Sequence, residues 1–123
     1  MERVTGIGGF FFRSRNPEGL AVWYQERLGV PVSPRSYDED SWRQQAGDTV
    51  FAPFEQDSEM IGSPEHVWMM NFRVEDLDAM TDQLRSMGET VEIDPKAYPN
   101  GRFAHLRDPE GNGIQLWQPM KPG

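Results

Sequence analysis

The chain carries one short pattern twice. Phe12-Arg13-Ser14-Arg15-Asn16 and Phe72-Arg73-Val74-Glu75-Asp76 each put an aromatic, an arginine and a helix-capping residue at matching places. An apolar stretch precedes each copy. Residues at helical spacing follow each one and stop at a glycine, Gly29 or Gly88. Three extended pieces complete each half. A repeat of this kind constrains architecture before any motif is interpreted. It reads βαβββ twice, over residues 4–56 and 65–119, within a single 1–123 domain. The fold class is α+β. One such unit cannot cover both faces of its sheet. Two units set edge to edge give a cup-shaped mixed sheet with the helices outside.

The local signals agree with that repeat. Residues 7–13 are rich in Phe and bounded by Gly, which suits a strand. Asn16-Pro17-Glu18 offers an N-cap, a first-turn proline and an acid placed for the helix dipole. Leu20, Trp23, Tyr24, Arg27 and Leu28 recur at helical spacing up to Gly29. Residues 30–32 start an extended piece, with Pro31 and Pro34 suggesting an edge. Residues 42–45 and 48–54 read as a hairpin, and the polar residues 55–65 as the linker. In the second half, residues 67–74 form a strand. Asp76 caps a helix with Leu77, Met80, Leu84 and Met87 on one face, ending at Gly88. Residues 90–93 are a short strand and 94–101 a loop. Residues 102–107 and 113–118 flank Asp108-Pro109-Glu110-Gly111-Asn112, a strong turn signal.

Composition narrows the class. With 123 residues, 12 Lys+Arg against 20 Asp+Glu and a net charge of -8, a basic footprint for nucleic acid is missing. The same charge disfavours an anionic membrane surface. The absence of Cys excludes disulfides, thiolate metal sites and thiol nucleophiles. The apolar cluster at residues 7–12 is too short to span a bilayer. A cytoplasmic protein is expected, without nucleic-acid or membrane partners. Four Trp and seven Phe supply the core area that a low apolar content otherwise lacks.

Three pieces, with the spacing between them, resemble the vicinal oxygen chelate superfamily. They are Phe12-Arg13 through Trp23-Tyr24-Gln25-Glu26-Arg27-Leu28-Gly29, then Asn71 through Leu77, then Asp108-Pro109-Glu110-Gly111-Asn112-Gly113-Ile114-Gln115-Leu116-Trp117. That superfamily contains glyoxalase I, extradiol dioxygenases, fosfomycin-resistance enzymes and bleomycin-resistance proteins. The resemblance implies a cup whose metal-using members place His, Glu or Gln on the first and last strand of each half. Counted from the matched motifs, those places fall at Gly9, Phe51, Met69 and Gln115. A hard divalent ion wants carboxylate, imidazole or carbonyl oxygen, and Gln115 alone offers one. No metal or other cofactor is therefore expected. The alternative is a metal-dependent lyase, isomerase or dioxygenase of glyoxalase type, with a divalent metal at an atypical site.

Strand alternation gives the cup lining. Pairing across the 108–112 turn sets Leu106 against Ile114 and His105 against Gln115. Leu106, Ile114 and Leu116 then face the helices, as do Phe12, Phe72 and Val74. Phe11, Phe51, Met69, Asn71, Phe103, His105, Gln115 and Trp117 face the cup, with Arg13 and Arg73 at its rim. Aromatic walls with a few convergent polar groups suit a small organic ligand. His105 reads two ways, as an acid–base or ligand-holding imidazole, or as a half-buried ring satisfied by Gln115. His66, at the strand entry, reads as an exposed turn residue. Arg13 and Arg73 could grip an anion, or pair with Asp48, Asp108 or a partner subunit. Trp42, Trp68 and Tyr37 read as exposed residues that a homodimer would bury. The function expected is binding of a small aromatic molecule in the cup. Glyoxalase or dioxygenase catalysis and an assembly role are the other classes.

Overall fold

In the computed structural model of the chain, residues 1–120 are described. The second half forms the complete βαβββ unit. Strand β1 is Met70–Arg73, helix α2 Leu77–Ser86, β2 Glu92–Ile93, β3 Gly101–Arg107 and β4 Gly113–Pro119. The sheet order is β1-β4-β3-β2, with β1 parallel to β4 and the other pairs antiparallel. The hairpin register is the one that the 108–112 turn sets: Leu106 opposite Ile114, His105 opposite Gln115. Among the described residues no helix is long and apolar enough to cross a membrane.

Both helix starts are capped at equivalent places of the repeat. Asn16 accepts from the Gly19 amide at 3.0 Å, and Asp76 from the Ala79 amide at 3.0 Å. Helix α1, Pro17–Leu28, ends on Gly29 at φ +72°, a left-handed position that favours glycine. Helix α2 stops one residue short of the expected face, which runs to Met87. Met87 caps it and is 41% exposed, while Thr81 takes a buried place beside Leu77 and Leu84.

The first half differs from its repeat partner. Residues 7–13, 30–32, 42–45 and 48–54 lie outside any strand, and of that half only α1 is regular structure. A β-segment is held by the neighbour that pairs its N–H and C=O groups, and within this one chain these segments have no such neighbour. Helix α1 also does not stand on a sheet of its own. Its Leu20, Trp23 and Tyr24 join Leu77 and Leu84 of α2 in one cluster, over Ala104, Leu106, Ile114 and Leu116 of the second-half sheet. Period-two alternation puts those four sheet residues on one face, and burial of that face drives the packing. In the linker, residues 55–65, a short 3-10 turn forms at Glu59–Ile61.

The 108–112 turn locks α1 to the sheet. Asp108 Oδ1 accepts from the amides of Glu110 at 2.8 Å and Asn112 at 3.0 Å. Its Oδ2 accepts from Asn112 Nδ2 at 2.8 Å and from the Tyr24 hydroxyl at 2.7 Å. Burial first, then the Asp108 carboxylate, push the Tyr24 hydroxyl pKa far up, so it stays a donor. Glu110 accepts from Ser14 Oγ at 2.6 Å and from the Arg15 amide at 2.9 Å, just ahead of α1. The Ser14 bond, helped by the Arg15 amide, holds the Glu110 carboxyl below the usual carboxylate range. Trp23 Nε1 donates to Glu89 at 3.0 Å and closes the other end of the helix pair.

Candidate functional site

The sheet face opposite the helices carries the candidate site. On β3 and β4 the residues that alternate with Ala104, Leu106, Ile114 and Leu116 point there: Phe103, His105, Gln115 and Trp117. On β1 the same face takes Asn71 and Arg73, by register with Gln115 and Trp117. Two transverse rows result. Asn71, Gln115 and His105 sit side by side on β1, β4 and β3, and Glu92 of β2 pairs with His105 at the row's end. One step along the strands, Arg73, Trp117 and Phe103 form the second row.

The first row is joined by hydrogen bonds. Asn71 Nδ2 donates to Gln115 Oε1 at 2.6 Å, and Gln115 Nε2 lies 3.1 Å from His105 Nε2. His105 meets Gln115 through Nε2 and borders the helix-free face, half-buried. In the second row the Phe103 and Trp117 rings are parallel within 5°, with centroids 6.4 Å apart. Trp117 is 7% exposed, so Phe103 offers the more open ring. The indole N–H is spent on the Asn100 carbonyl at 2.8 Å. Gly101 permits this, because at φ +133° a Cβ there would stand 2.8 Å from the indole nitrogen and collide with the Gln118 carbonyl.

Sequence reasoning missed Tyr98. Its ring meets Phe103 edge-on at 5.9 Å, and its hydroxyl donates to Asp94 at 2.8 Å. The Asp94 carboxyl is held below its ordinary range, first by the Lys96 amide and then by Tyr98. Tyr98 lies in a loop with two prolines, outside any period that could have assigned it a face. A turn signal at Asn100-Gly101 was the available hint.

Several expected lining residues are elsewhere. Phe11 is 94% and Phe51 86% exposed, and neither belongs to a strand facing the rows. Their segments lack a sheet, so alternation has nothing to act on. Phe12 is 39% exposed and packs against Phe10 and Trp68 instead of the helices. Trp68 is consequently half-buried, whereas Tyr37 and Trp42 are exposed as expected. Met69 is half-buried just ahead of β1. Arg13 is exposed and borders a shallow surface depression with Ser14, Arg15, Glu110 and Asn112. Arg73 is committed within the chain. Its guanidinium donates to the carbonyls of Asp48 and Gln45, the latter at 2.9 Å, and so ties down the segment at residues 45–49. The acceptor at Asp48 is its backbone and not its carboxylate. Gly47 makes room, since a Cβ there would stand 2.8 Å from Arg73 Nε. His66 is half-buried in a turn, with Nδ1 3.0 Å from Ser63 Oγ.

The donor set does not fit a divalent ion. Gln115 Oε1, the one oxygen at the four family positions, is already taken by Asn71. Among the described residues no three His, Asp or Glu side chains converge.

The Glyoxalase-like domain model matches residues 9–117, and the chain belongs to that family. Uncharacterized protein YraH of Bacillus subtilis (strain 168) is 25% identical over 108 residues, 78% of this chain and 84% of that protein. Among solved structures, TnmS3, an antibiotic binding protein from Streptomyces sp. CB03234, matches 98% of this chain and 100% of its own at a TM-score of 0.62 and 21% identity. A glyoxalase family protein from Bacillus anthracis matches 96% and 100% at a TM-score of 0.56 and 18% identity. A glyoxalase/bleomycin resistance protein from Streptomyces sp. CB03234 is 41% identical, but over only 40% of this chain and 42% of that one, at a TM-score of 0.36. The fold is that of the glyoxalase/bleomycin-resistance proteins.

Proposed function

We propose that the protein binds a small planar organic molecule on the helix-free face of its sheet, without a metal, as a homodimer. The observation that carries this reading is the pairing of the two rows: an aromatic pair, Phe103 and Trp117, beside the hydrogen-bonded Asn71, Gln115 and His105. A flat ring finds a stacking partner and a polar edge within adjacent residues of the same strands. Antibiotic binding is said of TnmS3 and not of this chain; the shared fold makes antibiotics a sensible part of a ligand screen. Metal independence is supported by the donor set, in which Gly9, Phe51 and Met69 offer nothing a hard cation binds.

A second copy is the other half of the proposal. The first half leaves Ile7, Phe11, Val50 and Phe51 between 57% and 94% exposed, in segments without ladder partners. A twofold dimer lets the same segments of two chains cover one another, because an isologous interface is self-complementary. It would also supply a wall over the open face.

Titration with planar aromatic compounds, antibiotics included, tests the ligand reading through tryptophan emission. A compound that binds the protein should bind Phe103→Ala about fivefold more weakly, since stacking contributes roughly 1 kcal/mol beyond burial. Stoichiometric metal in the purified protein, or ligand affinity unchanged in Phe103→Ala, would contradict it.

A further inference from the structure

Arg73 is aimed at the ligand side of the sheet. Phe72 and Val74, on either side of it, pack against the core, so alternation turns Arg73 to the helix-free face. It stands beside Trp117 at the β1 end of the second row, and β1 is an edge strand. There its guanidinium meets a segment of the other half. Nη1 donates to the Asp48 carbonyl and, at 3.4 Å, to Thr49 Oγ1, while Nη2 donates to the Gln45 carbonyl at 2.9 Å. Residues 42–54 are exposed and belong to no helix or strand. Among the described residues, the bonds to Arg73 are the hydrogen bonds that join this segment to the rest of the chain. Gly47 lies against the same guanidinium, where a Cβ would stand 2.8 Å from Nε and 3.1 Å from Cζ.

We propose that residues 45–49 are a strap that closes the β1 side of the ligand face, with Arg73 as its clasp. The inference rests on the binding function proposed above and assigns the control of entry and release at that site. Two of the acceptors are backbone carbonyls, so the hold follows the path of the chain more than the identity of its side chains. A guanidinium presents its N–H donors in a fixed planar fork and engages several carbonyls at once, which a lysine ammonium does not match. Each bond goes to a neutral, exposed oxygen, so water competes for it and the strap opens locally without disturbing the sheet. A segment with no ladder and no buried side chain belongs to the low-stability end of a fold, from which lids are drawn. Closed, the strap walls the second row beside Trp117, and a ring lying on that row is hemmed in on the β1 side. Open, that side is free. Arg73 is a positioning residue in this arrangement, acting on a ligand through the strap.

Trypsin reads the clasp in the ligand-free protein. Cleavage after Arg43 needs the strap drawn out into the protease, while Arg35, exposed and outside the strap, is the reference in the same digest. Arg73→Ala should raise cleavage after Arg43 relative to Arg35 by about tenfold, because cutting follows the population of the opened form. Gly47→Ala should have a similar effect with Arg73 still present. Gly47 is not at positive φ, so the added methyl strains no backbone and acts by pushing the guanidinium off its carbonyls. In the double variant the two effects should not add, since both remove the same contact. An unchanged ratio in either single variant, or full additivity, overturns the clasp. Acridone, a flat and uncharged fluorophore, reads the gate. Bound acridone should slow cleavage after Arg43 in the unaltered protein, and Gly47→Ala, which leaves both rows intact, should release it about tenfold faster. Release at the unaltered rate, or cleavage indifferent to bound acridone, overturns the strap. If acridone does not bind, the planar-ligand reading is what fails, and the trypsin ratios still decide the clasp.

Discussion

The two halves share a pattern and part company in structure. Phe72 packs onto the core, while its counterpart Phe12 is 39% exposed beside Phe10 and Trp68. Gln115 sits in a ladder between Asn71 and His105, while Phe51, at the equivalent place, is 86% exposed. Yet the helix caps, Asn16 and Asp76, work alike. A helix satisfies its own backbone, so local sequence suffices to form it once one face is covered. A strand needs a neighbour. The second half has four strands in one chain, closed by a tight turn. The first half lends its helix to that sheet and leaves its other segments for a second copy, as proposed above.

Five substitutions break or sharpen this contrast. The largest effect is expected from Leu116→Ala, which opens a cavity under both helices where Leu116 is 0% exposed; about 2–5 kcal/mol is lost, read as a fall in the denaturant midpoint. Val50→Ala, in a residue 72% exposed, should change the stability of a single chain by less than about 0.5 kcal/mol and show itself instead in the concentration dependence of melting. Asp108→Ala follows, with about 3 kcal/mol lost as four hydrogen bonds lose their acceptor, among them the Tyr24 bond that joins the halves. A calorimetric scan of Tyr24→Phe should show a smaller loss, because Asn112 still satisfies that carboxylate oxygen. Thr81→Val should act in the opposite direction. Among the described residues the buried Thr81 hydroxyl has no partner, and replacing it by a methyl should raise stability by about 1 kcal/mol, measured by urea unfolding.

The smallest effect concerns acid. The Glu110 carboxyl is lowered in the folded chain, so its clamp on Ser14 and Arg15 is fully present above the ordinary carboxylate range. It is lost as the pH falls through the lowered value. Amide exchange at residues 14–20 should therefore quicken in that window while β3 and β4 stay protected. Glu110→Gln should show the quick exchange already at neutral pH. Equal protection of both regions throughout would contradict a clamp of this kind.

Legibility followed the same physics. The hairpin register could be read because a five-residue turn fixes which residues face each other, and alternation then assigns the faces. Asn71, Phe103, His105, Gln115 and Trp117 were placed together on that basis, and the structure sets them on one face. The face of Arg73 could be read but not its partners, because they are backbone carbonyls of a segment distant in sequence. The burial of Trp117 depends on Asn100 and on the empty space at Gly101, neither of which any periodicity reports. The docking of α1 beside α2 was equally hidden. An apolar stripe states that a face will be covered, not by what. Strand propensity has the same gap, since it does not say which chain provides the neighbour.

Sedimentation equilibrium at micromolar concentration tests most directly whether the first half is completed by a second copy. A mass twice the 14.1 kDa of one chain, falling toward 14.1 kDa in a Phe51→Asp variant that keeps its helical circular dichroism, is the expected result. A mass of 14.1 kDa at every concentration for the unaltered protein would contradict it.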